Sequence, residues 1–353
     1  MAGVPPDARL AAHRDIGDAL AATDDRELAA LVESGTPLGT GIGGRSLLIE
    51  VAGRRVFVKR VPLTDAEQRP GNVRSTANLF RVPVVCHYGL GSPGFGAWRE
   101  LAAHTMTTGW VRSGQFSGFP LLHHWRVLPD PPRPLHEELA DVERVVAYWG
   151  GAPQVRERIE ALRTASASVT LFLEYVPHHL HDWLGARHAS GDLDGALALV
   201  QRQLMATADF LQVHELLHFD AHFENVLTDG RRLYLADFGL TLSPRFLLTS
   251  EERAFYDRHH GYDHAYMAAQ LVNWLVTALY GYRGEERDAF VRACAEGRRP
   301  EGAPSAAAGI IMRHAPLTAV RAGFSHRLRF ESRNASYPYE ALRDAYRRPT
   351  DSV

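Results

Sequence analysis

The pattern of hydrophobic and polar positions changes about half-way along the 353-residue chain. In the first half, the β-type runs 46–51 and 56–61 flank a short Gly-containing turn and predict a hairpin. The continuous apolar run 169–176 predicts a buried strand that ends before Pro177. Helical spacing then dominates, as in 194–218. The pattern predicts a β-rich first part, a mainly helical second part and a boundary after residue 176.

Two further segments complete the predicted domain organisation. Residues 1–35 predict a helical extension, because acidic residues occupy the first turn of its last helical run and Gly35 stands at the end of that run. Residues 62–96 are rich in Pro, Gly and Asn and predict an irregular insertion. We therefore divide the chain into the extension 1–35, an N-terminal part 36–176 with its insertion, and a helical C-terminal part 177–353.

Charge and composition restrict the class of partner. Lys and Arg total 39 and Asp and Glu total 41, so the net charge of −2 gives no strong attraction to nucleic acid or to anionic membranes. The longest apolar run, 265–280, is shorter than the roughly 20 residues of a membrane span and contains Gln270 and Asn273. Cys86 and Cys294 form no disulfide framework. We expect a cytoplasmic protein without a membrane span or a nucleic-acid partner.

Glycines and one lysine in the first β-rich stretch suit phosphate binding. Gly39, Gly41 and Gly44 match the pattern GxGxxG, in which glycines let backbone N–H groups approach phosphate oxygens. A strand follows them instead of a helix, so the pattern predicts a glycine loop between two strands and not a dinucleotide fold. Lys59, the only lysine in the chain, lies 20 residues after Gly39 and could return beneath that loop.

Two later segments supply carboxylates and an amide. Asp220 and Asn225 lie five residues apart after a long helical run. A carboxylate can accept the proton of an attacking hydroxyl, and an amide oxygen can ligate Mg²⁺. Asp237 opens the tripeptide Asp-Phe-Gly after the apolar run 233–236, where its carboxylate could hold metal ions.

Together and in this order, these motifs resemble those of the protein kinase superfamily between about residue 36 and residue 275. The resemblance implies an α+β, two-lobed protein-kinase-like fold with a β-rich N-lobe and a mainly helical C-lobe. The chain resembles a divergent bacterial member of this superfamily that has some features of aminoglycoside and choline kinase-type phosphotransferases. This resemblance further implies ATP and Mg²⁺ as cofactors and transfer of the γ-phosphate to a hydroxyl.

The resemblance also implies a role for each motif residue. Gly39, Gly41 and Gly44 match the loop that covers the phosphates of ATP, and Lys59 matches the lysine that contacts these phosphates. Glu100 matches the glutamate that pairs with this lysine, and Glu174 and Tyr175 match the segment that meets adenine. Asp220 matches the catalytic base, and Asn225 and Asp237 match the Mg²⁺ ligands. Because 41 residues separate Lys59 from Glu100, Glu67 is an alternative partner. Asp263 is a weaker match for the aspartate that braces the catalytic loop.

Departures from the family pattern bear on the acceptor. Phe219 replaces the arginine that anchors an activation-loop phosphate, and His222 stands where small-molecule phosphotransferases of this fold often have histidine. The clear GxGxxG pattern and the sequence Ala-Asp-Phe-Gly-Leu around Asp237, however, are less typical of aminoglycoside-type kinases, so we expect a protein Ser or Thr hydroxyl as acceptor. An aminoglycoside-type small molecule is the alternative, and a nucleotide-binding pseudokinase is the third possibility. A deep acidic cavity beside Asp220 would favour a cationic small molecule, and a shallow groove a protein chain.

Overall fold

The computed structural model describes residues 6–89 and 91–347. The chain forms two compact units. Unit 1 contains the residues up to Val176 together with Ala236–Arg253, and unit 2 contains Pro177–Leu235 and the residues from Ala254 onward. Both units contain strands and helices, so the predicted α+β class is confirmed. The segment Ala236–Arg253 belongs to unit 1, although the sequence analysis assigned it to the C-terminal part.

Unit 1 is built on an antiparallel sheet of five strands in the order β1-β2-β3-β5-β4. The strands are β1 (Thr36–Gly41), β2 (Gly44–Val51), β3 (Arg54–Leu63), β4 (Leu122–Pro129) and β5 (Ala167–Glu174). The predicted hairpin joins β2 to β3 through Ala52 and Gly53, which both have positive φ, as a tight two-residue hairpin turn requires. The apolar run that predicted a buried strand is β5, which pairs on both sides and is buried at every position except the last.

Helices cover both faces of this sheet. The helices of unit 1 are α1 (Pro6–Ala22), α2 (Asp25–Glu33), α3 (Asp65–Gln68), α4 (Ala97–Arg112), α5 (Glu137–Ala140), α6 (Val142–Tyr148) and α7 (Pro153–Arg163). Of these, α5, α6 and α7 pack with insertion residues such as Val82 and Cys86. Phe172 packs with α1 and α2, whereas Leu171 packs with α4, because successive residues of a strand point to opposite faces. Between residues 62 and 96, where the sequence predicts an irregular insertion, the described backbone has only α3 and two 3₁₀ turns after the end of β3.

Unit 2 is mainly helical and has a small sheet of three short strands. Its strands are β6 (His178–His179), β7 (Val226–Thr228) and β8 (Leu233–Leu235), and its helices are α8 (Leu180–Ala189), α9 (Leu193–Val213), α11 (Tyr262–Tyr280), α12 (Gly284–Ala295), α13 (Ser305–Phe330) and α14 (Tyr339–Arg347). The helix α10 (Ser250–Asp257) includes the residues at which the chain leaves unit 1. Across the described residues, no helix has the length and apolar character that a membrane crossing would need.

Candidate active site

Lys59 holds its ammonium between two carboxylates of unit 1. Its Nζ lies 2.7 Å from Glu100 Oε1 and 2.8 Å from Asp237 Oδ1. Lys59 and Glu100 are buried, whereas the side chain of Asp237 is 43% exposed. Burial alone would lower the pKa of Lys59, but the attraction of Asp237 and Glu100 outweighs it and raises that pKa. The lysine therefore stays charged, and the structure brings together three predicted site residues that are far apart in the sequence.

The charge of this cluster suits a further cation. Burial raises the pKa of Glu100 to about 7, although the ammonium of Lys59 opposes the increase. The negative charge of Asp237 adds to the increase in this pKa, because the two carboxylates lie beside the same ammonium and repel each other. The excess of carboxylate charge and the exposure of Asp237 fit a hard divalent cation such as Mg²⁺, which prefers oxygen ligands.

Asp237 is positioned by the segment that follows β8. Its backbone has φ +62°, in the left-handed region that Asp tolerates better than most residues. The amide of Gly239 donates a hydrogen bond of 3.3 Å to Asp237 Oδ1. The next residue, Leu240, places its carbonyl oxygen 2.7 Å from Nδ1 of His87, which lies in the insertion. Asp237 therefore lies at the start of a segment that the insertion helps to hold.

The same segment is tied to the rest of unit 1 at two further points. The amide of Leu247 donates a 2.9 Å hydrogen bond to Thr76 Oγ1. The guanidinium of Arg99, next to Glu100 on α4, forms a 2.7 Å ion pair with Glu252. Both partners of that pair are buried. Sequence reasoning missed Arg99, Glu252 and this role of the insertion, because polar contacts across such distances leave no local pattern.

Glu67, the alternative partner of Lys59, has a different role. Its carboxylate accepts a 2.8 Å hydrogen bond from the amide of Ala97, the first residue of α4, and forms a 2.9 Å ion pair with Arg158. It also accepts hydrogen bonds from the amide and hydroxyl groups of Thr64. The Glu67 alternative is therefore wrong. This carboxylate stabilises the N-terminus of the helix that carries Glu100.

The glycine motif forms the turn between β1 and β2, close to Lys59. Gly41 pairs with Gly44 across a two-residue turn. A Cβ on the turn residue Gly43 would lie 3.0 Å from Lys59 Nζ, so the turn passes directly beside the ammonium. The predicted loop between two strands is confirmed. Gly43, the turn residue that approaches Lys59, occupies a position at which the GxGxxG pattern accepts any residue.

The three motif glycines differ in what the fold requires of them. Gly44 has φ +127°, and a Cβ there would lie 2.0 Å from the carbonyl oxygen of Arg60. The fold itself therefore requires a glycine at this position. A Cβ on Gly39 or Gly41 would meet nothing within 4 Å. Packing therefore does not explain those two glycines.

Glu174 and Tyr175, assigned by resemblance to adenine binding, make contacts within unit 1. Arg9 of α1 donates to both carboxylate oxygens of Glu174, at 2.6–3.1 Å. The amide of Leu121 donates a further 3.0 Å hydrogen bond to the same carboxylate. The ring of Tyr175 lies under the guanidinium of Arg55, 4.4 Å from the ring centroid. The carboxylate of Glu174 thus anchors the N-terminal extension, which the sequence did not indicate.

Asp220 and Asn225 lie together in the loop of unit 2 that precedes β7. Asn225 Nδ2 donates to Asp220 Oδ2 at 3.1 Å and to the Asp220 carbonyl at 2.9 Å. Because Asn225 Nδ2 already donates these two hydrogen bonds, Asn225 Oδ1 is the side-chain atom that could bind a cation. His222 Nε2 lies 3.7 Å from Asp220 Oδ2. The loop therefore brings together a carboxylate, an amide and an imidazole.

Asp263, on the first turn of α11, holds this loop. Its carboxylate accepts hydrogen bonds from the amides of His218 at 2.7 Å and Phe219 at 2.9 Å. Burial raises the pKa of Asp263 to about 6, although these hydrogen bonds oppose the increase. Phe219 has φ +67°, which is unusual for an aromatic residue, and its fully buried ring lies against Tyr262 at 4.7 Å between centroids. The expected bracing contact is present.

No known protein-family model matches the chain, and no curated protein matches its sequence. The resemblance to protein kinases remains a prediction carried by the motif residues. Among the described residues, no group of three or more His, Cys, Asp or Glu side chains is placed to hold a metal ion.

The two sets of residues have complementary chemistry. The Lys59–Glu100–Asp237 cluster of unit 1 carries a fixed cation, an exposed carboxylate and an adjacent glycine turn, which are groups suited to a metal-bound polyphosphate. The loop of unit 2 carries a braced carboxylate that can accept a proton.

Proposed function

We propose that this chain is an ATP- and Mg²⁺-dependent phosphotransferase with a two-lobed protein-kinase-like fold, which transfers the γ-phosphate of ATP to a hydroxyl. The observation that carries the proposal is the ion-paired cluster of Lys59, Glu100 and Asp237. A buried ammonium is unfavourable unless it is paired, so a lone lysine kept in this position indicates a role for its charge. A fixed ammonium beside a glycine turn is suited to binding the phosphates of ATP.

In the proposed reaction, Asp220 accepts the proton of the acceptor hydroxyl as that oxygen attacks the γ-phosphorus. The bond between the γ-phosphorus and its bridging oxygen to the β-phosphate breaks, and ADP leaves with that electron pair. Asp263 keeps the loop of Asp220 in place through the hydrogen bonds that its carboxylate accepts from two backbone amides. Asp237 and Asn225 would each supply an oxygen ligand to Mg²⁺, which neutralises charge on the phosphate oxygens when it is bound.

The acceptor classes proposed from the sequence are a protein Ser or Thr hydroxyl and, as the alternative, the hydroxyl of a small molecule. The pseudokinase alternative is disfavoured because every charged or amide side chain that the reaction requires is present: Lys59, Asp220, Asn225 and Asp237.

Calorimetric titration of ATP in the presence of Mg²⁺ tests the proposal. We expect the wild type to bind ATP and Lys59→Arg to bind it at least about tenfold more weakly, because a branched guanidinium cannot occupy the place of Nζ beside Gly43. Arg54→Lys is the control, since it makes the reciprocal change at an exposed position of the same strand. Equal affinity of wild type and Lys59→Arg, with melting temperatures unchanged, would refute the role of Lys59.

A further inference from the structure

A cavity of about 970 Å³ in unit 2 begins beside the loop of Asp220. Its walls come from α8, loop residues 222–224, α11 and the region where α12 begins. His222 lines the cavity, and its Nε2 lies 3.7 Å from Asp220 Oδ2. The volume falls at the upper end of the range of about 300–1,000 Å³ that small-molecule sites occupy.

One wall is a polar stripe on an otherwise apolar helix. Gln270, Asn273, Trp274 and Thr277 of α11 line the cavity at the spacing i, i+3, i+4 and i+7, so they share one face. The residues between them, which include Leu271, Val272, Leu275 and Val276, are fully buried. The cavity explains the two polar interruptions in this apolar run. The stripe covers about 10 Å along the helix axis, at 1.5 Å per residue.

Asn273 gives this stripe an unsatisfied hydrogen-bond acceptor. Its Oδ1 is buried and has no hydrogen-bond donor among the described residues. A buried amide oxygen without a donor is unfavourable, and native proteins rarely retain one without a reason. Asn273 lines the cavity, so a small rotation of its amide would let a ligand hydroxyl or amine supply the missing donor.

Charges of opposite sign line different parts of the cavity wall. Asp182 of α8 and Glu224, two residues after His222, bring carboxylates near the catalytic loop. Arg283 and Arg287 lie beyond the C-terminal end of α11, at the far end of the stripe. Arg287 lies 3.6 Å from an Asp288 carboxylate oxygen, whereas Arg283 forms no ion pair with another described residue. The cavity is therefore not the purely acidic one that a polycation would need, and its far end presents an uncompensated positive charge.

On the basis of the proposed phosphotransferase function, we propose that this cavity binds the phosphate acceptor. We infer that the acceptor is a small polar molecule with its reactive hydroxyl near Asp220. An anionic group, either carboxylate or phosphate, binds Arg283 and Arg287 at the far end of the stripe. Asn273 accepts a hydrogen bond from a hydroxyl or amine between these two ends.

Binding to four pyranose probes, measured by calorimetry without nucleotide, tests this assignment on the full chain. The probes are glucose, glucosamine, glucuronate and glucose 6-phosphate, which present a neutral, a cationic and two anionic forms of one ring. We expect glucuronate or glucose 6-phosphate to bind at least about tenfold more tightly than glucose, and their ratio distinguishes carboxylate from phosphate recognition. The double variant Arg283→Gln/Arg287→Gln should lose this preference, and Asn273→Leu should weaken binding of every probe.

Arg292→Gln is the matched control, because it removes an exposed arginine of α12 that does not line the cavity. A preference for glucosamine, binding of the anionic probes that survives the double variant, or binding of none of the four probes would overturn the proposal. Binding of a Ser-containing peptide in place of the sugars would indicate a protein acceptor and would also overturn it.

The assay separates this inference from the proposed function because it contains no ATP. Anion-selective binding that depends on Arg283 and Arg287, in a protein that transfers no phosphate, would refute the function and retain the cavity assignment. Phosphate transfer that proceeds unchanged in the double variant would retain the function and refute the assignment.

Discussion

Replacing Glu67 by Ala should destabilise the protein, because this carboxylate connects the insertion, α4 and α7. The change leaves the guanidinium of Arg158, of which only 4% is exposed, without its 2.9 Å partner. It also removes the acceptor for the amide of Ala97 at the start of α4. Loss of one partner of a buried ion pair costs about 3–5 kcal/mol. That is a large part of the roughly 5–15 kcal/mol by which native domains are stable.

Thermal unfolding followed by circular dichroism measures this loss. At about 2–4 °C per kcal/mol, the melting temperature at pH 7 should fall by on the order of 10 °C. Glu143→Ala is the control, since Glu143 also forms a two-contact ion pair with an arginine, Arg156, but does so in solvent. It should leave the melting temperature almost unchanged. A fall of less than about 3 °C in Glu67→Ala would refute the structural role of Glu67.

The pH dependence gives a second test of the same reasoning. Burial alone would raise the pKa of Glu67, but Arg158 and the hydrogen bonds from Thr64 outweigh it and lower the pKa. A carboxylate whose folded-state pKa is lowered stabilises the protein fully above its ordinary pKa of 4.5, and this stabilisation is lost as pH falls through the lowered value. The difference between wild type and Glu67→Ala should therefore be largest at neutral pH and shrink on acidification.

Two further predictions address the glycine turn and a partly buried histidine, His123. Gly44→Ala should lower the free energy of unfolding in urea by about 3 kcal/mol or more, because the added Cβ would meet the Arg60 carbonyl. Gly41→Ala should leave stability unchanged and lower ATP affinity. Unchanged ATP affinity in Gly41→Ala would contradict the proposed ligand role of this glycine. Burial lowers the pKa of His123 to about 3, so the unfolded chain binds the proton more readily and stability should fall as pH drops from about 6.5 toward 3. His123→Leu should flatten that dependence, and an unchanged pH profile would refute the assignment.

Much of the secondary structure could be predicted because its causes are local. The turn at Ala52 and Gly53 and the alternating residues beside it are sufficient to predict the β2–β3 hairpin. The apolar run of β5 indicates a strand that is covered on both faces. In contrast, no local pattern indicates that Lys59 meets Glu100 and Asp237, and the resemblance to a known family was needed to predict that contact.

The contacts that position these residues could not be predicted, because a buried charged residue looks like an exposed one in the sequence. The ion pair between Arg9 and Glu174 joins residues 165 positions apart, and the sequence pattern at each end suits a solvated side chain equally well. The same holds for Glu67, whose role depends on Arg158 from another segment. The polar residue Asn273 was visible as an interruption of an apolar run, but only the cavity beside it gives the interruption a physical reason.

The central claim is that the chain transfers the γ-phosphate of ATP, and label transfer tests it most directly. Wild type, Asp220→Asn and the control Asp194→Asn, which changes an exposed carboxylate on α9, would be incubated with γ-labelled ATP and Mg²⁺ and with panels of proteins and hydroxylated small molecules. We predict that wild type and Asp194→Asn label an acceptor and that Asp220→Asn does so at least about 100-fold more slowly, because it lacks the base. Equal transfer by Asp220→Asn, or ATP binding by the wild type without transfer to any acceptor, would contradict the account.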